Sequence, residues 1–534
     1  MASETYDYAN KAWKATCRVI FGSEIGELEG FREWLLSYDQ PKAFHKSNFS
    51  GKNVAYPISD YDSRSSFISF DEIDFGRRFE PLGINDIKDI DSIVRAISER
   101  FSYAGGVVLG NSNFVEQSSS VVNANYVYGS TFVNDSNYVV YSRYVHFCEC
   151  CFGFLGTEKS KYIIMGSGSN LSRCFECHMA QELSDCYYCA KARNCADCLF
   201  CFGTENRRNL IGNTSLPKEK YLLLKSKLLS EISQMLKKDK RIFSLLDIIA
   251  LASEEKNNSS PASASGSKKE ESFRQEALED AFSKTTQVLF GKSLHGLPDY
   301  AKFLQRHVPS NEVLDSAISG KRTIVCGYRA HLLSKYGINQ RIATEGELLK
   351  IGMAELSALS LEKIRVDAVA LARLLGPIAY INFEKDVGTN QNVKDSAVVF
   401  ESSDCLHCSA AIRSRKCAYS FWPSESENIF GGYAVFNSSF TMNVHDSTSV
   451  TRGFELDECR SCSDICFSHN CENVRDSMFC FNAKNLAYAV GNAPLPPADY
   501  RRIKSNITAQ LAGELERTKA LKWGIFNIGA RPGK

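Results

Sequence analysis

Cysteine is the residue of this chain best suited to chemistry. Pairs separated by two residues recur as Cys148/Cys151, Cys174/Cys177, Cys186/Cys189, Cys195/Cys198, Cys405/Cys408 and Cys459/Cys462, with His178 and His407 close by. Thiolate and imidazole at this spacing are what a tetrahedral zinc ion takes. Cys174, Cys177, Cys186 and Cys189 form the best zinc set, C-x2-C-x8-C-x2-C, with Cys195, Cys198 and Cys201 close behind. The later part of the chain offers only Cys459, Cys462, Cys466, His469 and Cys471. The alternative is that cysteine serves as a small buried hydrophobe.

The chain carries its own control, because it is written twice. TCRVIFGSEIGELEGFREWL at 16–35 returns as TTQVLFGKSLHGLPDYAKFL at 285–304, and GNTSLPKEKYLLLKSKL at 212–228 returns as GNAPLPPADYRRIKSNI at 491–507. Aligned at STFVND (130–135) and SAVVFE (396–401), Val139 meets Cys405, Ser142 meets Cys408, Val145 meets Ala411 and Cys148 meets Ser414. Near the end Cys195 meets Val474, Cys198 meets Ser477 and Cys201 meets Cys480. A zinc site cannot exchange thiolate for valine, whereas a packed interior can. Packing is therefore the expected role, with no cofactor; zinc is the alternative.

What positions the cysteines is a period of three. From Ser112 every third residue to Cys151 is Ser, Val, Ala or Cys, and the pattern returns at 174–201, 393–420 and 444–480, placing 16 of the 20 cysteines in phase. A helix repeats at about 3.6 and a strand at 2, so neither holds this register. Short coils that turn a corner every three or six residues do, each pointing one small side chain per triplet inward and stacking on the next. The expected fold is α+β, two tandem modules, each a right-handed or triangular short-coil β-solenoid capped by helices. The boundaries are 1–104 helical and mixed, 105–205 solenoid, 206–252 closing helices, 253–275 flexible linker, 276–386 helical and mixed, 387–484 solenoid, 485–518 closing helix and 519–534 tail. Helices are expected at 5–19, 28–38, 276–288 and 297–306. Two more should span 85–101 and 360–375, capped by Asn85 and Ser360, and closing helices should start at Pro217 and Pro496.

The in-phase Cys, Ser and Ala resemble the twelve-residue coils of insect antifreeze β-solenoids. This chain lacks their Thr-x-Thr ladder, so the resemblance implies fold and not ice binding. NCADCLFCFGTENRRNLIGNTSLPKEKY (194–221) resembles more closely a family of uncharacterised Cys-rich repeat proteins of bacteria and large phages, in which Asn-Cys or Asp-Cys triplets run into a Lys-rich helix. That resemblance implies the repeat fold and brings no activity.

Composition adds bounds. With Lys plus Arg at 63 and Asp plus Glu at 62 over 534 residues, net charge gives no global pull toward nucleic acid or anionic membrane. No apolar run reaches the roughly 18 to 20 residues of a membrane span, and the start lacks a signal-peptide pattern, so a cytoplasmic, reducing location is expected. GKS at 291–293 is not a phosphate loop, because position 286 is Thr where that loop needs Gly. Asp457, Glu458, Asp464 and Asp476 could pair as carboxylates for polysaccharide chemistry but read better as a solvated face. The basic helix 218–241 is a cap with a possible nucleic-acid face. The tail residues Lys519, Lys522, Trp523, Phe526 and Arg531, with Ile528, look exposed and suited to docking on a neighbouring subunit. The outward Asn, Tyr and Phe of 113–144 offer a second contact face. Together these favour a non-enzymatic structural or interaction protein, a subunit of a particle, shell or ribonucleoprotein. A zinc-dependent nucleic-acid-binding module and a polysaccharide-acting β-helix enzyme are the alternatives.

Overall fold

The computed structural model describes residues 3–39, 42–83, 87–156, 160–166, 173–176, 184–254, 273–357, 361 and 363–531. The architecture is mixed α+β. Each copy begins with a helix, Glu4–Phe21 or Glu276–Phe290, that lays its apolar face along a stack of parallel strands. Gly22 and Gly291 end these helices, both at φ 74°, where a side chain would strain the left-handed turn. The glycine of GKS is thus a helix stop. Asn85 and Ser360 lie outside the described residues, and the helices expected there are shorter, Ile90–Ile97 and Ala368–Leu375. Asp89 and Asp367 cap them, accepting the N–H of Ser92 at 2.8 Å and of Ala370 at 2.7 Å. The closing helices span Lys218–Asp239 and Pro497–Thr518, behind Pro217 and Pro496.

Between these helices the stacked strands pair in parallel, with an offset of twelve residues in most pairs and thirteen where each stack begins, Val108 with Val121 and Asp386 with Val399. In the first copy Asn113, Asn125, Asn137 and Glu149 are successive partners. In the second the series runs Gln391, Ser403, Arg415, Glu427, Ser439, Thr451, Ser463, Arg475. The period of three comes from the backbone. Phe132, Asp135, Tyr138, Tyr141, Tyr144 and Phe147 all sit in the left-handed region, with φ between 47° and 58°, each just before an in-phase residue. A non-glycine residue there costs roughly 1–2 kcal/mol. Each stack offsets that cost through the inter-coil hydrogen bonds and a core of its own. One core is built from Val121, Val127, Val133, Cys186, Cys198 and their in-phase neighbours, the other from Cys405, Cys417, Ile429, Val444, Cys471 and theirs.

The shared Gly-Asn motif closes each stack. Gly212-Asn213 and Gly491-Asn492 all have positive φ. They form two-residue hairpin turns from the last coil into an antiparallel return strand, pairing Ile211 with Thr214 and Val490 with Ala493. Each asparagine side chain then bonds the main chain of the preceding coil at both ends, Asn213 with Phe202 and Asn492 with Phe481.

The packing units cut across the expected tandem order. The mixed segment of the first copy, residues 43–104, reaches over the second stack: Tyr61 donates to Asp457 at 2.8 Å, Ala104 N–H to His469 Nε2 at 2.8 Å, and Asn482 to Ser102 O at 2.9 Å. The mixed segment of the second copy returns the favour on the first stack, through Lys191 to Glu345 at 2.8 Å, Leu356 N–H to Thr214 at 2.8 Å and Arg329 to Leu155 O at 2.7 Å. Both large cores accordingly mix residues of the two copies. Most of the expected linker, residues 255–272, lies outside the described residues.

Candidate functional site

The cysteines first considered as ligands line the stack interiors. Cys174, Cys186, Cys189, Cys195, Cys198 and Cys201 are buried, while Cys177 and His178 lie outside the described residues. The interchange seen by alignment holds in space, since Val139 and Cys405, Ser142 and Cys408, and Cys198 and Ser477 are all buried. Cysteine does here what serine does. Ser414 N–H donates to Ser402 Oγ at 3.1 Å and Ser426 N–H to Ser414 Oγ at 3.2 Å, one coil apart, and Val474 N–H donates in the same way to Cys462 Sγ at 3.5 Å. Burial raises the pKa of Cys408, Cys462, Cys471 and Cys480, the last to about 12, which holds them as thiols and not the thiolates a metal binds. The Cys148 and Cys151 sulfurs meet across one turn. Among the described residues no group of three or more His, Cys, Asp or Glu is arranged to hold a metal ion.

Titratable groups converge instead on the seam between the two stacks. The stacks lie side by side and antiparallel: Ser120 of the first meets Asp446 and Glu458 of the second, while Tyr144 meets Tyr433 and Trp422. Phe132, Tyr144, Leu155, Phe421, Trp422 and Tyr433 form an apolar cluster there. The outward face of 113–144 is therefore partly spent within the chain, although Phe114, Tyr126 and Tyr138 still form a stack of rings beside Tyr8, with centroids 5.1 and 4.6 Å apart. A cleft of about 270 Å³ opens at one part of the seam. Its charged walls are matched in pairs: Arg143 with Asp39 at 3.0 Å, His307 with Asp60 at 2.6 Å, and Arg306 with the buried Glu455. No family model, curated protein or solved structure matches the chain.

The carboxylates expected on a solvated face divide. Asp464 does lie on the stack exterior, held by Arg452 at 2.8 and 2.5 Å, and Lys504 stands 4.0 Å from Asp476. Asp457 and Glu458 are 0 % exposed. The exchanged segment covers them, and Asp457 Oδ2 accepts from Tyr61 and pairs with His469 Nδ1, both at 2.8 Å.

The tail docks inside its own chain, correcting the expectation of an exposed anchor for a neighbour. Phe526 and Ile528 are buried. Lys522 and Trp523 Nε1 share Asp91 at 2.7 and 2.6 Å, Lys519 lies 4.6 Å over the Tyr300 ring, and Arg531 N–H donates to Arg64 O at 3.3 Å. The sequence had hidden a clamp that repeats in both copies. Buried Glu176 accepts Leu245 N–H at 2.6 Å and the Tyr38 hydroxyl, and buried Glu455 accepts Ile525 N–H at 2.8 Å and Arg306. Each glutamate thus joins a starting segment to the chain beyond a closing helix. The equal spacing of Glu176 to Leu245 and Glu455 to Ile525, within one residue, was the available signal. In the basic helix, Lys225 is held by Asp185 and Asp197 at 3.6 and 3.7 Å, and Lys227 donates to Ile364 O at 3.0 Å. Leu222 and Leu223 are exposed on the same helix.

Among the described residues no helix is long and apolar enough to cross a membrane.

Proposed function

We propose that the chain is a non-enzymatic structural and interaction protein, two clasped short-coil β-solenoids of the Cys-rich repeat kind, serving as a subunit of a larger intracellular assembly. One observation carries the reading. Each stack is closed at its far end by the Gly-Asn hairpin but presents an unfinished first coil. The first-coil strands Asn113–Glu116 and Gln391–Lys394 have a ladder partner on one edge only among the described strands. Interior-facing Val108, Val115 and Val393 are half-buried, whereas Val121, Val127 and Val133 further in are 0 % exposed. An unpaired parallel edge beside apolar interior residues invites a further strand. Because the stacks are antiparallel, the two open coils face opposite ways, which suits assembly at both ends. The exposed Leu222 and Leu223 favour a protein partner over nucleic acid for the basic helix.

Sedimentation of the full chain across a concentration series tests this, with co-purifying proteins identified by mass spectrometry. Concentration-dependent association, or a stoichiometric protein partner, that is lost in the Val115→Lys, Val393→Lys double variant is the expected result. A monomer at every concentration, with no partner, refutes the reading.

A further inference from the structure

The seam between the stacks holds one hydroxyl between two carboxyl groups. Ser120, buried on the first stack, lies within hydrogen-bond distance of Asp446 Oδ2 and 3.2 Å from Glu458 Oε1. Asp446 and Glu458 occupy the same corner of successive coils, twelve residues apart. A serine hydroxyl has one proton to give and can otherwise only accept. If both acids were ionised, one would face the serine lone pairs without a proton between them. Glu458 is 0 % exposed and its second oxygen, Oε2, has no hydrogen-bond partner. Asp446 is the more accessible of the two.

The surroundings fix which acid keeps a proton. From its own stack Glu458 faces the charges of Asp457, Asp446 and Arg460, and from the exchanged segment the phenols of Tyr56 and Tyr61. Asp457 is occupied by Tyr61 and His469, and the Arg460 charge opposes both Glu458 and Asp446. We propose that Glu458 is a neutral carboxylic acid in the closed molecule, donating its proton to Ser120, which donates in turn to the Asp446 carboxylate, so that one proton latches the two stacks together. Burial, with Asp457 and Asp446 adding to it, raises the Glu458 pKa well above the ordinary carboxyl range. Burial brings Asp446 to about 6, which leaves it ionised at neutral pH.

Opening the seam hydrates Glu458 and releases its proton to water. The closed state binds one proton more than the open state, so the opening constant rises about tenfold per pH unit from roughly pH 4.5 up to the pKa of the closed state. The latch is fully formed below the open-state pKa and is lost as pH rises through the closed-state value.

Hydrogen exchange of the full chain between pH 6 and 9, corrected for intrinsic exchange, tests the latch through the peptides covering 119–122 and 443–460. The wild type should show protection falling by about tenfold per pH unit, and Glu458→Gln, which keeps a donor and cannot ionise, should be flat. Equal pH dependence in both, or none in the wild type, overturns the proposal. Should Glu458→Gln fail to fold, Asp446→Asn serves, because removing that charge lowers the closed-state pKa of Glu458. It should exchange less steeply than wild type at the alkaline end, and an unchanged profile overturns the proposal.

Discussion

Replacing Phe526 by alanine removes the ring that the tail inserts where four segments meet. The ring is 2 % exposed, with centroids 5.3 Å from Tyr61, 4.6 Å from His307 and 4.8 Å from His445. A buried Phe→Ala change costs about 3–5 kcal/mol, rising with the residual cavity. The cavity should stay largely open here, because two of its walls are held by partners of their own, Tyr61 by Asp457 and His307 by Asp60, and the backbone at Phe526 is fixed by Asp62 N–H at 2.9 Å. A loss of about 4 kcal/mol multiplies the local opening constant nearly a thousandfold, at tenfold per 1.4 kcal/mol. Hydrogen exchange at Asp62 and at 525–530 reads it, with Phe526→Leu as the size-conserving control expected to cost less than about 1.5 kcal/mol. Exchange at these amides changing by less than about tenfold would refute the docked tail.

Cys405→Val should be nearly neutral, within about 1.5 kcal/mol, since valine occupies the equivalent place in the other copy; a strong chelator should leave the melting temperature unchanged, and a marked fall would restore the zinc reading. Asn492→Ala loses both bonds to Phe481 and keeps a left-handed backbone without the side chain that tolerates it, so urea denaturation should show a loss of about 2–3 kcal/mol, with Asn492→Gly milder. His445 is buried, neither ring nitrogen has a hydrogen-bond partner, and burial holds its pKa well below the ordinary value. Its neutral form therefore favours folding above the unfolded pKa of about 6.5, and that contribution is lost as pH falls below it. Melting temperatures between pH 7 and 5 should fall, and His445→Phe should flatten the fall. Lys522→Ala should change stability by less than about 1 kcal/mol, because its partner Asp91 is exposed to solvent.

The period of three was legible because each in-phase side chain meets the same crowded interior, and the starts of the closing helices because Pro217 and Pro496 have a local backbone reason to stand there. The twelve-residue offset was not fixed by side-chain spacing, since every multiple of three satisfies it, and the left-handed residues recur every third position as well; it emerges only in the strand register. Aspartate caps were missed because Asn85 and Ser360 also fit a cap pattern from a longer range. The seam was invisible for a different reason. Ser120, Asp446 and Glu458 are 326 and 338 residues apart, and only the side-by-side packing of the stacks brings them together. The tail's basic residues read as surface, and they are; the apolar residues interleaved with them at Phe526 and Ile528 point the other way.

The exchanged middle segments also set an order of events in synthesis. A ribosome that has made the first 254 residues has produced a stack whose end at Gly212 awaits Leu356, Leu361 and Leu375, none of which yet exists. The segment 43–104, already complete, must meanwhile keep Tyr61 and Tyr103 from other partners until Asp457 and Ile525 emerge. The native contacts are complete only when Ile525 and Phe526 have emerged, so the nascent chain spends the synthesis of these segments with unfinished cores. Such a chain is the kind that depends on chaperones. Conversely, two separately made halves, cut within 255–272, should each be incomplete alone and find each other as a fused swapped dimer would after being unfused.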